Sequence, residues 1–206
     1  MSNVLTRWRN LGATDAERTA VYPGDELVDE PADNVTRAVS IDAAPSTVWR
    51  WLVQIGQGRG GMYSYDRLEN LFGLDIHSAD RIHDDWQDLA PGDRVVVVPP
   101  GKLGMPDGYS FPVAVVDHER CIVLRQCPPE HPWNAVWTFV VEREGHGCRL
   151  ISRSRNQRLP GRRGTIMRWV GMLMDPVTLL MTRKMLHGIK ERAETEHLLV
   201  DVDHLA

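Results

Sequence analysis

The densest group of chemically capable side chains falls in residues 74–88, where Asp75, His77, Asp80, His83, Asp84 and Asp85 share one polar stretch. Imidazole and carboxylate ligate divalent metals and move protons. Their spacing matches neither an H-E-x-x-H helix nor a facial triad with a supporting partner, so the stretch reads first as a solvated acidic connection. No metal and no cofactor is assigned. Gly56, Gly58 and Gly61 fit G-x-G-x-x-G, a pattern that cradles a pyrophosphate only between a strand and the helix that follows it. Here a helical pattern precedes the glycines and no parallel alternation of strand and helix follows. The glycines are therefore read as a reversal of the chain between two helices. Asp66, His77, His83 and Arg153 are the candidates for acid–base work, and no nucleophile–base set accompanies them.

The elements that must position these groups begin with residues 35–41, where Val35, Arg37, Val39 and Ile41 alternate with Thr36, Ala38 and Ser40. That is a strand with one largely apolar face. Pro45 suits a first helical turn, and Val48, Leu52 and Ile55 recur at helical spacing with Trp49 and Trp51 beside them, which predicts a helix over 45–55. A second helix is predicted over 64–72, capped by Ser64, with Tyr65, Leu68 and Phe72 as its apolar stripe. Short strands then follow at regular intervals over 94–98, 111–116, 121–126, 134–142 and 148–155, separated by turns that carry Gly or Pro except for Asp117-His118-Glu119. This spacing calls for antiparallel pairing, because parallel strands need long crossovers. In 134–142, Ala135, Trp137, Phe139 and Val141 share a face. In 148–155, Arg149, Ile151, Arg153 and Arg155 share one, either as a solvated row or with one arginine turned inward to anchor an anionic group.

The C-terminal region returns to helix. Asp175-Pro176 reads as an N-cap and first turn, so a helix is predicted to start there and run to about residue 199. Val177, Leu180, Met181, Met185, Gly188 and Ile189 form its predicted apolar side, and Arg183, His187, Lys190 and Glu194 its wet one. Met167, Met172, Met174, Met181 and Met185 crowd this region, and methionine suits both adaptable core filling and contact with ligands of varied shape.

Composition narrows the function classes. The 206 residues are about one domain's worth, with 42% hydrophobic and 25% charged residues and a net charge of −4. With no large block of one sign, nucleic acid is not an expected partner. Cys121, Cys127 and Cys148 are odd in number and lack C-x-x-C spacing, which argues against a disulfide framework or a zinc knuckle. The N-terminus lacks the apolar run of a secretory signal, and Arg168, Asp175 and Pro176 interrupt the apolar stretch 166–181, so the expectation is a cytoplasmic protein without a transmembrane segment. Residues 1–34, with turn signals at Pro23-Gly24-Asp25 and Glu30-Pro31, read as an N-terminal extension: a loosely packed arm or a strap across a pocket mouth. Residues 35–199 form the main domain and 200–206 a tail.

The order strand, two short helices, antiparallel meander and long C-terminal helix resembles the helix-grip superfamily of START lipid-transfer domains, Bet v 1-like proteins and polyketide cyclases, often labelled SRPBCC. The resemblance spans 35–199 and rests on this order together with I-D-A-A-P-S-T-V-W-R-W-L-V-Q-I-G (41–56) and G-R-G-G-M-Y-S-Y-D (58–66). The second segment looks like that of an actinobacterial-type branch. The resemblance implies an α+β fold in which a curved sheet of about six or seven strands wraps the terminal helix. It further implies a cavity between the two that takes a hydrophobic or aromatic small molecule. Trp137, Phe139, Met181 and Met185 would wall that cavity, and Tyr63, Tyr65 and Asp66 would supply polar contacts at its mouth. Three functions compete on this basis: a carrier or sensor of a hydrophobic metabolite, a cyclase- or dehydrase-type enzyme, and a protein-interaction module.

Overall fold

In the computed structural model, which describes residues 8–71 and 73–204, the sheet is built first from a strand longer than the sequence pattern indicates. β1 (Pro31–Ile41) starts four residues before the alternating run. It is followed by α2 (Pro45–Val53) and α3 (Asp66–Leu71), both after a short α1 (Asp15–Thr19) near the N-terminus. β2 (Arg94–Val98), β3 (Tyr109–Asp117), β4 (Cys121–Gln126), β5 (Ala135–Glu144) and β6 (Gly147–Gln157) complete the sheet, and α4 (Gly161–His204) closes the described chain. The strand order is β1-β6-β5-β4-β3-β2, antiparallel throughout. A six-stranded antiparallel sheet with a long terminal helix packed on it is the expected α+β, helix-grip arrangement.

Alternate residues of each strand go to opposite faces, and both faces are covered. On one, Val39, Ile41, Ile122, Leu124, Phe139, Val141 and Leu150 pack with Trp49 and Leu52 of α2 and with Met185 and Ile189 of α4. On the other, Ala38, Val123, Val136, Val140 and Ile151 meet Tyr22 and Val28 from the segment before β1. That segment is not loosely packed: Tyr22, Asp25 and Val28 are buried on the face away from α4, and at Arg9 the segment reaches α4 through Asp175. Thr14 and Glu17 close a capping box on α1, which satisfies two backbone donors at once. Glu17 then pairs with Arg149 at 2.6 Å, and Asp25 pairs with Arg153 at 2.9 Å and Arg155 at 3.2 Å. The arginine row of β6 is thus neither solvated nor turned toward a ligand, because the N-terminal segment brings its own carboxylates to it. Asn10 accepts a hydrogen bond from the backbone N–H of Thr36 on the edge strand β1, covering a donor that an exposed edge would leave open. Gly12 allows this approach: it sits at φ +81°, and a Cβ there would lie 2.1 Å from the Ala38 carbonyl oxygen.

The helices depart from the sequence pattern in instructive ways. α2 starts at Pro45 as predicted, but Trp49 and Trp51 are inside rather than beside the apolar stripe. α3 starts at Asp66, and the Tyr65 carbonyl accepts its first bonds, while the Ser64 hydroxyl donates to Glu69 instead of capping. Tyr65 and Leu68 are exposed, and Phe72 lies outside the described residues. α4 does not start at Asp175: it runs unbroken through Pro176. The Asp175 carboxylate pairs with Arg9 at 3.1 Å rather than capping a helix, and Pro176 is exposed, where loss of one backbone hydrogen bond and local distortion are best tolerated. Thr182 meets Arg37 and Gly188 abuts Tyr63, so α4 turns Leu179, Met185, Leu186, Ile189 and Ala193 inward. Val177 and Leu180, predicted on the apolar side, are left facing solvent.

Candidate functional site

Two places bring chemically capable residues together. The first surrounds Arg192 on α4. Its guanidinium lies 4.9 Å from the Tyr63 ring centroid and 5.9 Å from that of Trp51, a cation over aromatic faces. It also donates to the Ala79 carbonyl at 2.7 Å and the Gly188 carbonyl at 3.1 Å. Tyr63 is held at φ +51°, with its hydroxyl donating to the Trp51 carbonyl and accepting from Gln54 Nε2, both at 3.0 Å. Burial holds the phenol above its ordinary value, against the pull of Gln54 and the nearby arginines. The glycines of the G-x-G-x-x-G match serve this construction: Gly56 and Gly61 exchange backbone hydrogen bonds at 2.9 Å, reversing the chain so that Tyr63 enters between α2 and α4.

Arg192 separates two open clefts. One, of about 490 Å³, is lined by Tyr63, Ser64, Tyr65, Asp66, Lys184 and Glu191 among others. The second, of about 470 Å³, includes Trp51, Arg81, Ile82 and Glu196. Carboxylates along both are already partnered: Lys184 pairs with Glu191 at 3.4 Å, and Glu196 pairs with Arg50 at 3.1 Å and accepts from Trp51 Nε1 at 2.8 Å. Asp66, the acid–base candidate that reaches a cleft, has both oxygens engaged, accepting from Ser78 N at 2.7 Å and from Ser78 Oγ at 2.6 Å. The other candidates are elsewhere. Arg153 is sealed on the opposite face of the sheet by Asp25, Thr36 and Tyr22. His77 is exposed and sits 3.1 Å from Asp75, and His83 packs its ring 4.1 Å from that of Trp86. Among the described residues, no three His, Cys, Asp or Glu side chains gather as a metal site would require.

The second place is the α4-side face of the sheet. Tyr109, Phe111, Trp137 and Phe139 form a continuous row of rings with centroid separations of 5.3, 5.4 and 4.7 Å, within the range in which aromatic pairs attract. Neighbouring side chains satisfy their polar atoms. Trp137 Nε1 donates to Ser152 Oγ at 2.8 Å, and the Tyr109 hydroxyl donates at 3.0 Å to Gln126, itself held by Trp133 and the Ser110 carbonyl. The row runs from covered to open. Phe139 and Met185 are fully buried in the core, whereas Trp137, Phe111 and Tyr109 are only partly covered. Met181 on α4 is likewise partly exposed. Of the wall residues predicted from sequence, Phe139 and Met185 therefore fill space, while Trp137 and Met181 keep accessible surface.

An inward arginine does exist, on β1 instead of β6. Arg37 is buried on the α4 side, and by register it is the direct neighbour of Ser152. It donates to the Arg9 carbonyl and to Thr182 Oγ1, both at 3.2 Å. Burial pulls it down to about 10, with Asp175 acting against the fall. Its place on the apolar parity of β1 was the available signal. Tyr109 and Phe111 gave a signal too, as alternate residues at the start of β3.

No family model and no curated relative matches the chain. Solved structures resemble it at low identity. KanY is 13% identical, with 79% of this chain and 97% of KanY covered and a TM-score of 0.48. Ms6760 from Mycobacterium smegmatis is 16% identical over 82% of this chain and 98% of that one, with a TM-score of 0.43. The two-domain aromatase/cyclase StfQ of the steffimycin biosynthetic pathway is 13% identical over 79% of this chain and 51% of that one, with a TM-score of 0.44. The helix-grip assignment rests on the element order and pairing described above.

Proposed function

We propose that the protein binds a hydrophobic or aromatic small molecule on the α4-side face of the sheet, as a carrier or sensor. The observation that carries this reading is the aromatic row whose polar atoms are already bonded within the protein. What Tyr109, Phe111 and Trp137 still offer is ring surface, and an apolar or aromatic guest recovers it from water at about 25 cal/mol per Å² covered. Preformed apolar surface with few placed polar groups is the usual character of a small-molecule site. The partly exposed Met181 of α4 is our candidate for an adaptable wall. The cleft beside Tyr63, whose charges answer one another, is read as a surface recess. A cyclase- or dehydrase-like enzyme would work through Asp66 there, whose two oxygens each already accept one hydrogen bond from Ser78.

Titration with the neutral fluorophore N-phenyl-1-naphthylamine tests the proposal. Saturable binding with energy transfer from tryptophan is expected, weakened about tenfold in Trp137→Ala, since one large aromatic contact is lost. Absence of binding by this probe and by a panel of fatty acids and polycyclic aromatics in native mass spectrometry overturns it.

A further inference from the structure

We infer that the first turns of α4 dock the protein on the surface of an anionic lipid bilayer. The helix changes character along its outward face. Its inward face carries Leu179, Thr182, Met185, Leu186, Ile189 and Ala193, all buried. At 100° per residue, the opposite face carries Trp169, Leu173, Val177 and Leu180 and then, further along the same line, Lys184, His187 and Glu191. The second half is what a surface helix presents to water. The first half is inverted, with Trp169 63%, Leu173 79%, Val177 49% and Leu180 51% exposed. Arg162, Thr165, Trp169, Leu173 and Met174 in the first turns are exposed, so the stripe begins on an exposed stretch of the helix.

Charge selects the occupant. Residues 156–174 contain Arg158, Arg162, Arg163 and Arg168 and no aspartate or glutamate, in a chain whose net charge is −4. Arg158 and Arg162 are exposed. An apolar stripe headed by tryptophan and flanked by arginines suits a helix lying in the plane of a bilayer, with the basic groups among anionic headgroups. No helix among the described residues is long and apolar enough to cross a membrane, so the contact is with the surface. A second copy of the chain fits less well. The stripe spans roughly 17 Å at 1.5 Å per residue, short of the three to four heptads that sustain a coiled coil, and parallel pairing would bring two arginine-rich ends together.

Flotation of the full chain with vesicles of phosphatidylcholine alone, and of phosphatidylcholine mixed with phosphatidylglycerol, tests this. Binding to the mixed vesicles only, weakening as salt is added, is expected. Leu173→Glu and Arg162→Glu should each float about tenfold less while keeping the wild-type circular dichroism and melting temperature. Wild-type protein that fails to float with mixed vesicles, or Leu173→Glu that floats as well as wild type, overturns the inference. So does sedimentation velocity without lipid showing a dimer that Leu173→Glu dissociates, since the stripe would then belong to a second copy.

Discussion

Replacing Asp25 by alanine probes the side of the sheet that the proposed ligand does not use. Asp25 is almost fully buried and accepts from Arg153 at 2.9 Å, from Arg155 at 3.2 Å and from the Tyr22 backbone N–H at 3.1 Å. Asp25→Ala leaves two guanidiniums without their carboxylate and a backbone donor without its acceptor. Breaking a buried pair from one side costs about 3–5 kcal/mol. For a chain of this length each kcal/mol moves the melting temperature by about 2–4 °C, so a fall of roughly 6–20 °C is expected. The comparison is Glu130→Ala, which removes a half-exposed pair with Arg94 at 2.6 Å and should cost about 0–1 kcal/mol. Calorimetric melts of the two variants beside wild type give the answer. If Asp25→Ala melts within about 2 °C of Glu130→Ala, the segment before β1 is not clamped as described.

Three further outcomes follow from the packing. Gly188→Ala, normally stabilising in a helix by about 1 kcal/mol, should destabilise here, because the new Cβ would lie 2.3 Å from the Tyr63 carbonyl oxygen; a raised urea midpoint contradicts that contact. Partial burial works to raise the Glu17 carboxyl, but the bonds from Arg149 and Thr14 outweigh it and hold it below its ordinary 4.5. Its contribution is therefore complete above the unfolded value and is lost as pH falls through the folded one. Urea midpoints should drop on acidification below about pH 4.5, less steeply in Glu17→Gln, and parallel profiles contradict the assignment. Burial foremost, with Glu144 adding, pushes the Cys148 thiol up to about 11, and burial with Asp117 also raises Cys121. Since the thiolate is the reactive form, native protein should react quickly with a disulfide reagent at the partly exposed Cys127 alone; rapid labelling of all three argues against these strand positions.

Strand number and antiparallel pairing were legible because short apolar runs alternate with turn signals, Gly- and Pro-bearing before β3, β5 and β6 and the polar Asp117-His118-Glu119 before β4, whereas the placement of β1 beside β6 is supplied by the fold. Helix ends and faces were less legible, because they depend on partners distant in sequence. Asp175-Pro176 carries a helix-start signature, yet Arg9 claims the aspartate and the helix passes through the proline. The arginines of β6 showed the right alternation, but only the placement of Glu17 and Asp25 reveals which face they occupy. Arg37 sat in plain view on an apolar parity, with Ser152 and Thr182 as the neighbours that only the fold supplies. Trp137 and Phe139 were correctly put on one face, whereas the division between a covered and an open ring depends on how far α2 and α4 reach across the sheet.

The ligand site is tested most directly by the indole N–H resonances of the seven tryptophans, followed while ¹⁵N-labelled protein is titrated with N-phenyl-1-naphthylamine. Trp137, identified by its loss in Trp137→Phe, donates to Ser152 within the aromatic row, whereas Trp51 borders the cleft beside Arg192. A saturable shift at Trp137, with Trp51 unmoved, is the predicted result. A shift at Trp51 with Trp137 stationary, or no shift at any indole, contradicts the account.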